Sequence, residues 1–174
     1  MKIDHFECTV IGGGIVGLAI GRELSESKSV VLLESSSNIM TGTSSRNSEV
    51  VHSGIYYPYD SIKRQACIEG KIKIYEYCKK KEIPHKKIGK LIISNDDNAN
   101  LIHELYLNGK KNGVDDLLFL EKKEISKYQN NIKAKFAIFS PSSGIVDTHM
   151  LGNSFKNDIE KNEGLVLLKT SFQK

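Results

Sequence analysis

The chain has no tryptophan, only three prolines and three cysteines, and only three arginines (Arg22, Arg46 and Arg64) among its 25 cationic side chains. Cys8, Cys67 and Cys78 form no CxxC pair and no metal-ligand spacing, which excludes a disulfide framework and fits three small core residues in a reducing compartment. His85, His103 and His149 share no ligand spacing either, so no metal is expected. The shortage of arginine removes the side chain that nucleic-acid readers use for bidentate and stacking contacts. The net charge of +4 is therefore read as a lysine excess on solvated faces, with Lys79, Lys80 and Lys81 suited to a helix end, and no nucleic-acid partner is expected. The longest low-charge apolar run, Thr9 to Ile20, spans 12 residues and is too short to cross a bilayer. Asp4, Glu7 and three consecutive glycines also spoil it as a signal-peptide core, so neither a transmembrane nor an export segment is expected.

What is present is an ordinary globular composition, 39% hydrophobic and 26% charged over 174 residues. A chain of this length can remove roughly 70% of its unfolded surface from water, enough for a core without staples.

The amino-terminal stretch reads as one βαβ unit. Phe6 to Ile11 is an apolar run ending at glycines, Ile15 to Leu24 repeats apolar residues at helical spacing, and Val30 to Leu33 is a continuous apolar strand of the kind covered on both faces. That order implies a parallel sheet. Ser35 to Ser48 turns to Ser, Thr, Asn and Gly, a long irregular loop of the sort that carries function. Ser61 to Glu82 predicts a helix with Ser61 as its cap and Pro84 beyond its end. A region of different texture follows: strands at Lys87–Ser94, Leu117–Leu120 and Ala134–Ser140, with helices at Asn98–Asn112 and Lys122–Tyr128. A helix from Thr148 to Asn162, weakened by Gly152 and Asn153, leads to a last strand at Leu165–Leu168. No internal repeat is present.

Gly12, Gly14 and Gly17 form a G-x-G-x-x-G pattern, with Gly13 in addition. In such a turn the first glycine takes a backbone conformation closed to side chains, the second admits a diphosphate, and the third lets helix and strand pack closely. The helix N-terminus adds free N–H groups and partial positive charge. Glu34 ends the second strand 17 residues after Gly17, where a carboxylate accepts both ribose hydroxyls of an adenosine and repels a 2′-phosphate. An adenine dinucleotide other than NADP is expected; the turn alone does not separate FAD from NAD.

The triple-glycine turn followed by Glu34 resembles the amino-terminal unit of FAD-dependent oxidoreductases of the D-amino-acid-oxidase type. Three further stretches, Ser44 to Tyr57, Ile83 to Ile92 and Ser140 to His149, are similar in order to stretches of L-2-hydroxyglutarate dehydrogenases. The resemblance covers nearly the whole chain. It implies FAD as cofactor and an α/β fold: a Rossmann-like, FAD-binding parallel sheet over residues 1–82, a partial mixed α+β substrate region over 83–140, and a return to the FAD-binding region over 141–174.

It also implies roles. Gly12, Gly13, Gly14, Ile15, Val16, Gly17, Glu34 and Ser35 would hold the adenosine and diphosphate, and Thr43, Ser44, Ser45, Arg46, Asn47 and Ser48 the diphosphate and ribityl chain. For the loop, the competing reading is a set of Ser and Asn residues making only local turns. His52, with Ser53 and Gly54, would lie near the isoalloxazine ring, where a histidine compensates the charge of reduced flavin or serves as a covalent attachment point; a packed histidine at a strand end is the bland alternative. Tyr56 and Tyr57 would pack, with one hydroxyl able to turn to the substrate side; Lys63 and Lys90 could each meet a dicarboxylate, against the competing reading that most of the many lysines face solvent.

The activity so implied is oxidation of L-2-hydroxyglutarate to 2-oxoglutarate, with hydride passing to flavin N5 and electrons leaving to a quinone or another acceptor. The location expected is cytoplasmic, peripheral at an inner membrane, or mitochondrial in a eukaryote. Members of the family are considerably longer, so the 174 residues are expected to be an incomplete, inactive part that a complementary carboxy-terminal half would restore. The rivals are a flavoenzyme of the same fold acting on an amine or glycerol 3-phosphate, and a non-catalytic remnant. Glu49 stands where many related enzymes carry glycine.

Overall fold

The computed structural model describes residues 5–95 and 99–173. In chain order it contains β1 (Cys8–Ile11), α1 (Ile15–Ser25), β2 (Val30–Leu33), a 3-10 turn (Thr43–Ser45), β3 (Val50–Val51), α2 (Ile62–Lys80), β4 (His85–Lys86) and β5 (Lys90–Ser94). There follow α3 (Asn100–Lys111), β6 (Leu118–Glu121), α4 (Lys122–Ile125), β7 (Phe136–Ser140), β8 (Gly144–Val146), α5 (Thr148–Lys161) and β9 (Leu165–Leu167). The Asn98 start expected for the third helix lies outside the described residues.

The chain divides into two units, residues 1–49 with 147–174, and residues 50–146. The sequence reading put the boundaries at 82/83 and 140/141. They fall at 49/50 and 146/147 because β3 pairs with β8 and α2 is bonded to the β7–β8 turn, where the Tyr75 hydroxyl donates to the Ser142 carbonyl at 3.1 Å.

In the first unit β2 is the centre of a parallel sheet, with β1 on one side (Cys8 opposite Val30, Ile11 opposite Leu33) and β9 on the other (Val31 opposite Leu165). A central parallel strand must be apolar throughout, and Val30, Val31 and Leu32 are buried. Helices α1 and α5 pack together beside the sheet around Leu18, Leu32, Met40 and Ile159. Gly21 allows the approach: a Cβ there would stand 3.0 Å from Ile159 Cδ1. Arg22 adds an ion pair to Asp158 at 3.2 Å. Helix α5 starts cleanly because the Asp147 carboxylate accepts the Met150 amide at 2.8 Å.

The second unit contains two three-stranded sheets. One is antiparallel in the order β5-β7-β6; Ile55, Ile102, Val114, Leu117 and Ile138 form one core cluster and Leu120, Ile125, Ala134 and Ala137 another. The other joins β3 and β4 to either edge of β8. Helix α2 begins where the Ser61 hydroxyl accepts the Arg64 amide at 3.2 Å. The expected strand at Lys87 begins instead at Lys90, since Gly89 adopts φ +75° and turns the chain into the sheet.

Candidate functional site

The first unit presents the glycine turn at the carboxy-terminal end of β1, where open α/β sheets bind ligands. Gly12 has φ +108° and open space where a Cβ would stand. A Cβ on Gly17 would collide with the Gly12 carbonyl oxygen, so only glycine lets α1 leave the turn this closely. Gly14 caps α1 without a side chain, and the first amides of a helix have no intrahelical acceptor. One of them, Ile15 N–H, donates to Ser44 Oγ at 3.0 Å.

Glu34 is half-buried beside this turn. Its Oε2 accepts the Gly13 amide at 2.7 Å; its Oε1 accepts the Ser36 amide at 2.7 Å and the Ser35 hydroxyl at 3.4 Å. The Ser36 amide first, and then the Gly13 amide, hold the carboxyl below the usual glutamate range, so it is ionised at neutral pH. A carboxylate offers about four lone-pair sites, which leaves acceptor capacity at Oε2.

The polar loop is held to the turn. The Met40 amide donates to the Gly13 carbonyl at 2.9 Å, and Met40 itself is buried against Gly152. Ser44 sits at the start of α1, but Ser45 turns its hydroxyl to the Gly42 carbonyl at 2.8 Å. The Asn47 side-chain amide donates to the Ser44 carbonyl at 2.6 Å, and its side-chain carbonyl accepts the Glu49 amide at 2.6 Å. Ser45 thus bonds within the loop, and Asn47 also donates to the Thr148 hydroxyl at 3.3 Å, while Thr43, Arg46 and Ser48 are exposed. The Arg46 guanidinium has no acidic partner among the described residues.

Met40 and Ser36 were missed as site residues; Ile39 and Met40, the apolar pair inside the polar loop, were the available signal. Also missed was Glu49. At φ +56° its carboxylate accepts both the amide and the hydroxyl of Thr148, at 3.2 and 3.0 Å, and so anchors the loop to the first turn of α5.

In the second unit His52 is exposed directly after β3, with Ser53, Gly54 and Ile55 buried behind it. Ser140 Oγ donates to Ser53 Oγ at 2.9 Å and receives Ser143 Oγ at 3.1 Å, a buried row of three hydroxyls. Gly54 adopts φ +103°, and a Cβ there would meet Ile68 at 2.9 Å. Ser53 and Gly54 thus serve the backbone that presents His52. Packing around the imidazole, and after it the Lys90 charge, lower its pKa below that of free histidine, so His52 is neutral at neutral pH. Among the described residues there is no cluster of His, Cys, Asp or Glu that could hold a metal, and no helix is long and apolar enough to cross a membrane.

An adenine dinucleotide requires close backbone approach, a helix N-terminus facing the diphosphate and a carboxylate for the ribose. The turn at Gly12 to Gly17 and the ionised, oriented Glu34 supply these, so the residues of the first unit fit the adenosine and diphosphate of FAD.

Among curated relatives, the chain is 45% identical over 148 residues to the mitochondrial L-2-hydroxyglutarate dehydrogenase of Arabidopsis thaliana, covering 84% of this chain and 31% of the relative. It is 37% identical over 174 residues to the human mitochondrial enzyme of that name, covering 98% of this chain and 37% of the relative. The chain thus spans about a third of the length of these relatives. Among solved structures, the dithionite-reduced, FAD-bound L-α-glycerophosphate oxidase of Mycoplasma pneumoniae superposes with a TM-score of 0.91 at 23% identity, covering 99% of this chain and 47% of that one. Glycine oxidase from Geobacillus kaustophilus gives 0.83 at 16% identity, covering 94% and 46%. These likenesses establish the Rossmann-like fold. A family model described as FAD dependent oxidoreductase matches residues 7–174, and the chain belongs to that family.

Proposed function

We propose that the chain is the amino-terminal, adenosine- and diphosphate-holding part of a flavoenzyme that oxidises L-2-hydroxyglutarate to 2-oxoglutarate. The observation that carries the cofactor half of this reading is the Glu34 carboxylate, oriented by the Gly13 and Ser36 amides beside an open glycine turn. The substrate half is supported by 37–45% identity, over most of this chain, to relatives bearing that enzyme name.

FAD, when bound, supplies the acceptor for the hydride leaving substrate C2. The protein binds the adenosine ribose through Glu34 and the diphosphate through the amides of the glycine turn, with Thr43, Arg46 and Ser48 as further contacts. His52, neutral and exposed, would accept the hydroxyl proton from the substrate as C2 becomes a carbonyl, and would then carry a positive charge on that side of the site. An acceptor such as a quinone would take the electrons from the enzyme, which favours a place peripheral to an inner membrane. A complementary stretch of protein, supplying what the relatives have beyond this third of their length, completes the enzyme.

The second reading, oxidation of glycerol 3-phosphate or an amine, is favoured only by the names of the structural neighbours, at 16–23% identity. Anaerobic mixing of the full-length, FAD-loaded protein with each substrate separates the two. Flavin bleaching by L-2-hydroxyglutarate is expected; bleaching by glycerol 3-phosphate or glycine alone overturns the substrate assignment, and no bleaching by any favours the remnant.

A further inference from the structure

We infer that Lys90, with the ring of Tyr56, is the specificity site for the distal carboxylate of the substrate, an inference that rests on the dicarboxylate reading above. Lys90 opens β5 opposite Ser140 of β7, and Ser140 is the middle of the buried hydroxyl row whose far end is Ser53, the neighbour of His52. The Gly89 amide, one residue before Lys90, is bonded to the Ser143 carbonyl at 2.9 Å. Both ends of this bridge are fixed by groups that are 0 to 3% exposed, so the strand that Lys90 opens is tied through Ser140 to the backbone beside His52.

The ammonium of Lys90 lies 4.9 Å from the Tyr56 ring centroid, and no carboxylate among the described residues is paired with it. An aromatic face holds a cation in place while leaving its N–H donors unspent, whereas a carboxylate partner would have consumed them. Tyr56 is itself 47% exposed, so its ring is accessible from solvent. The Lys90 charge also reaches the His52 imidazole, placing a cation and a neutral proton acceptor within each other's field. Beyond the groups that hold the reacting hydroxyl and the C1 carboxylate, which a monocarboxylic 2-hydroxy acid shares, a 2-hydroxy dicarboxylate needs one further positive charge for its far carboxylate, the role assigned to Lys90. Lysine, a compact point charge, suits one carboxylate oxygen pair at the end of a flexible chain. A monocarboxylic 2-hydroxy acid would leave Lys90 without its anion.

The test uses two unreactive probes on the full-length, FAD-loaded protein: glutarate, with two carboxylates, and pentanoate, of the same carbon length with one. Calorimetric titration should show glutarate binding about tenfold or more tighter than pentanoate, with Lys90→Met abolishing the preference and Lys90→Arg keeping most of it. Retained flavin and an unchanged melting temperature verify that each variant is folded. The inference is overturned by a wild-type protein without preference, or by a Lys90→Met protein that keeps the wild-type preference. Flavin bleaching by L-2-hydroxyglutarate, read in the same samples, reports on the proposed reaction separately. If bleaching is absent while Lys90→Met still erases the glutarate preference, the reaction is wrong and the dicarboxylate site stands.

Discussion

The Glu49 carboxylate collects both the amide and the hydroxyl of Thr148, a residue 99 positions further along, and does so from a backbone at φ +56°. A positive φ costs a non-glycine residue roughly 1 kcal/mol or more, so the two bonds offset a strain that glycine would not carry. Removing the side chain separates these effects. Glu49→Ala keeps the strain and loses both bonds, and should cost about 1–3 kcal/mol in chemical denaturation. Glu49→Gly loses the bonds but relieves the strain, and should cost about 1 kcal/mol less than the alanine variant. Equal losses in the two variants would mean that the backbone at 49 is not strained.

Glu34→Ala should weaken FAD binding by about 1–3 kcal/mol, because the ribose loses a charged acceptor. It also strands the Gly13 and Ser36 amides, so the apo protein should be destabilised as well. Flavin-fluorescence titration of both forms checks the first effect, and equal affinities would remove Glu34 from the site. The pH dependence has a definite sign. The folded-state pKa is depressed, so the Glu34 contribution is complete above the unfolded carboxyl pKa and fades as pH falls through the lower folded value.

Much of this first site was legible locally. Strand, glycine turn, helix and second strand follow one another within 34 residues, each with its own short-range pattern, and Glu34 is placed by strand length alone. The second unit was less legible because β3 and β4 are two residues long and β8 three, too short to show a period. Their existence depends on pairing between residues such as Val51 and Gly144, far apart in sequence. For the same reason the unit boundary at 49/50 was invisible: Glu49 and Val50 are neighbours in sequence, and only their distant partners assign them to different units. Ser45 and Asn47 were legible as polar, but not as residues whose side chains are bonded to the loop backbone and, for Asn47, to Thr148.

Ser140→Ala should cost about 1–3 kcal/mol, since the buried Ser53 and Ser143 hydroxyls each lose a partner. Ser53→Ala in the same background should add less than it costs alone, because the bond it removes is already gone. A double-mutant cycle by denaturation measures the coupling, and strict additivity would dissolve the proposed row.

His52 should titrate below free histidine, from packing around the ring first and Lys90 second. With the folded-state pKa depressed, the unfolded chain binds more protons, so stability is lost as pH falls from the unfolded value to the folded one and is insensitive to His52 above it. Lys90→Met should move the imidazole pKa upward without restoring the free value, because the larger cause remains. Imidazole proton shifts followed by NMR give the direction, and an unmoved titration would place Lys90 outside the field of His52.

The glycine turn predicts a ranking that composition could not supply. Gly17→Ala drives a methyl group into the Gly12 carbonyl, a backbone atom that cannot swing aside, and should cost about 3 kcal/mol or more and abolish FAD binding. Gly12→Ala meets no atom but must hold φ +108°, a strain of about 1–3 kcal/mol that leaves part of the binding intact. Gly14→Ala touches only Ser44 Oγ, 3.0 Å away on a rotatable side chain, so its fold should be the least affected. Its FAD affinity should still fall, because the added methyl stands where the backbone must approach the diphosphate. Denaturation midpoints should therefore order as Gly14→Ala above Gly12→Ala above Gly17→Ala, whereas flavin affinity should drop in all three. A Gly14→Ala protein that binds FAD like the wild type would place the diphosphate away from this turn.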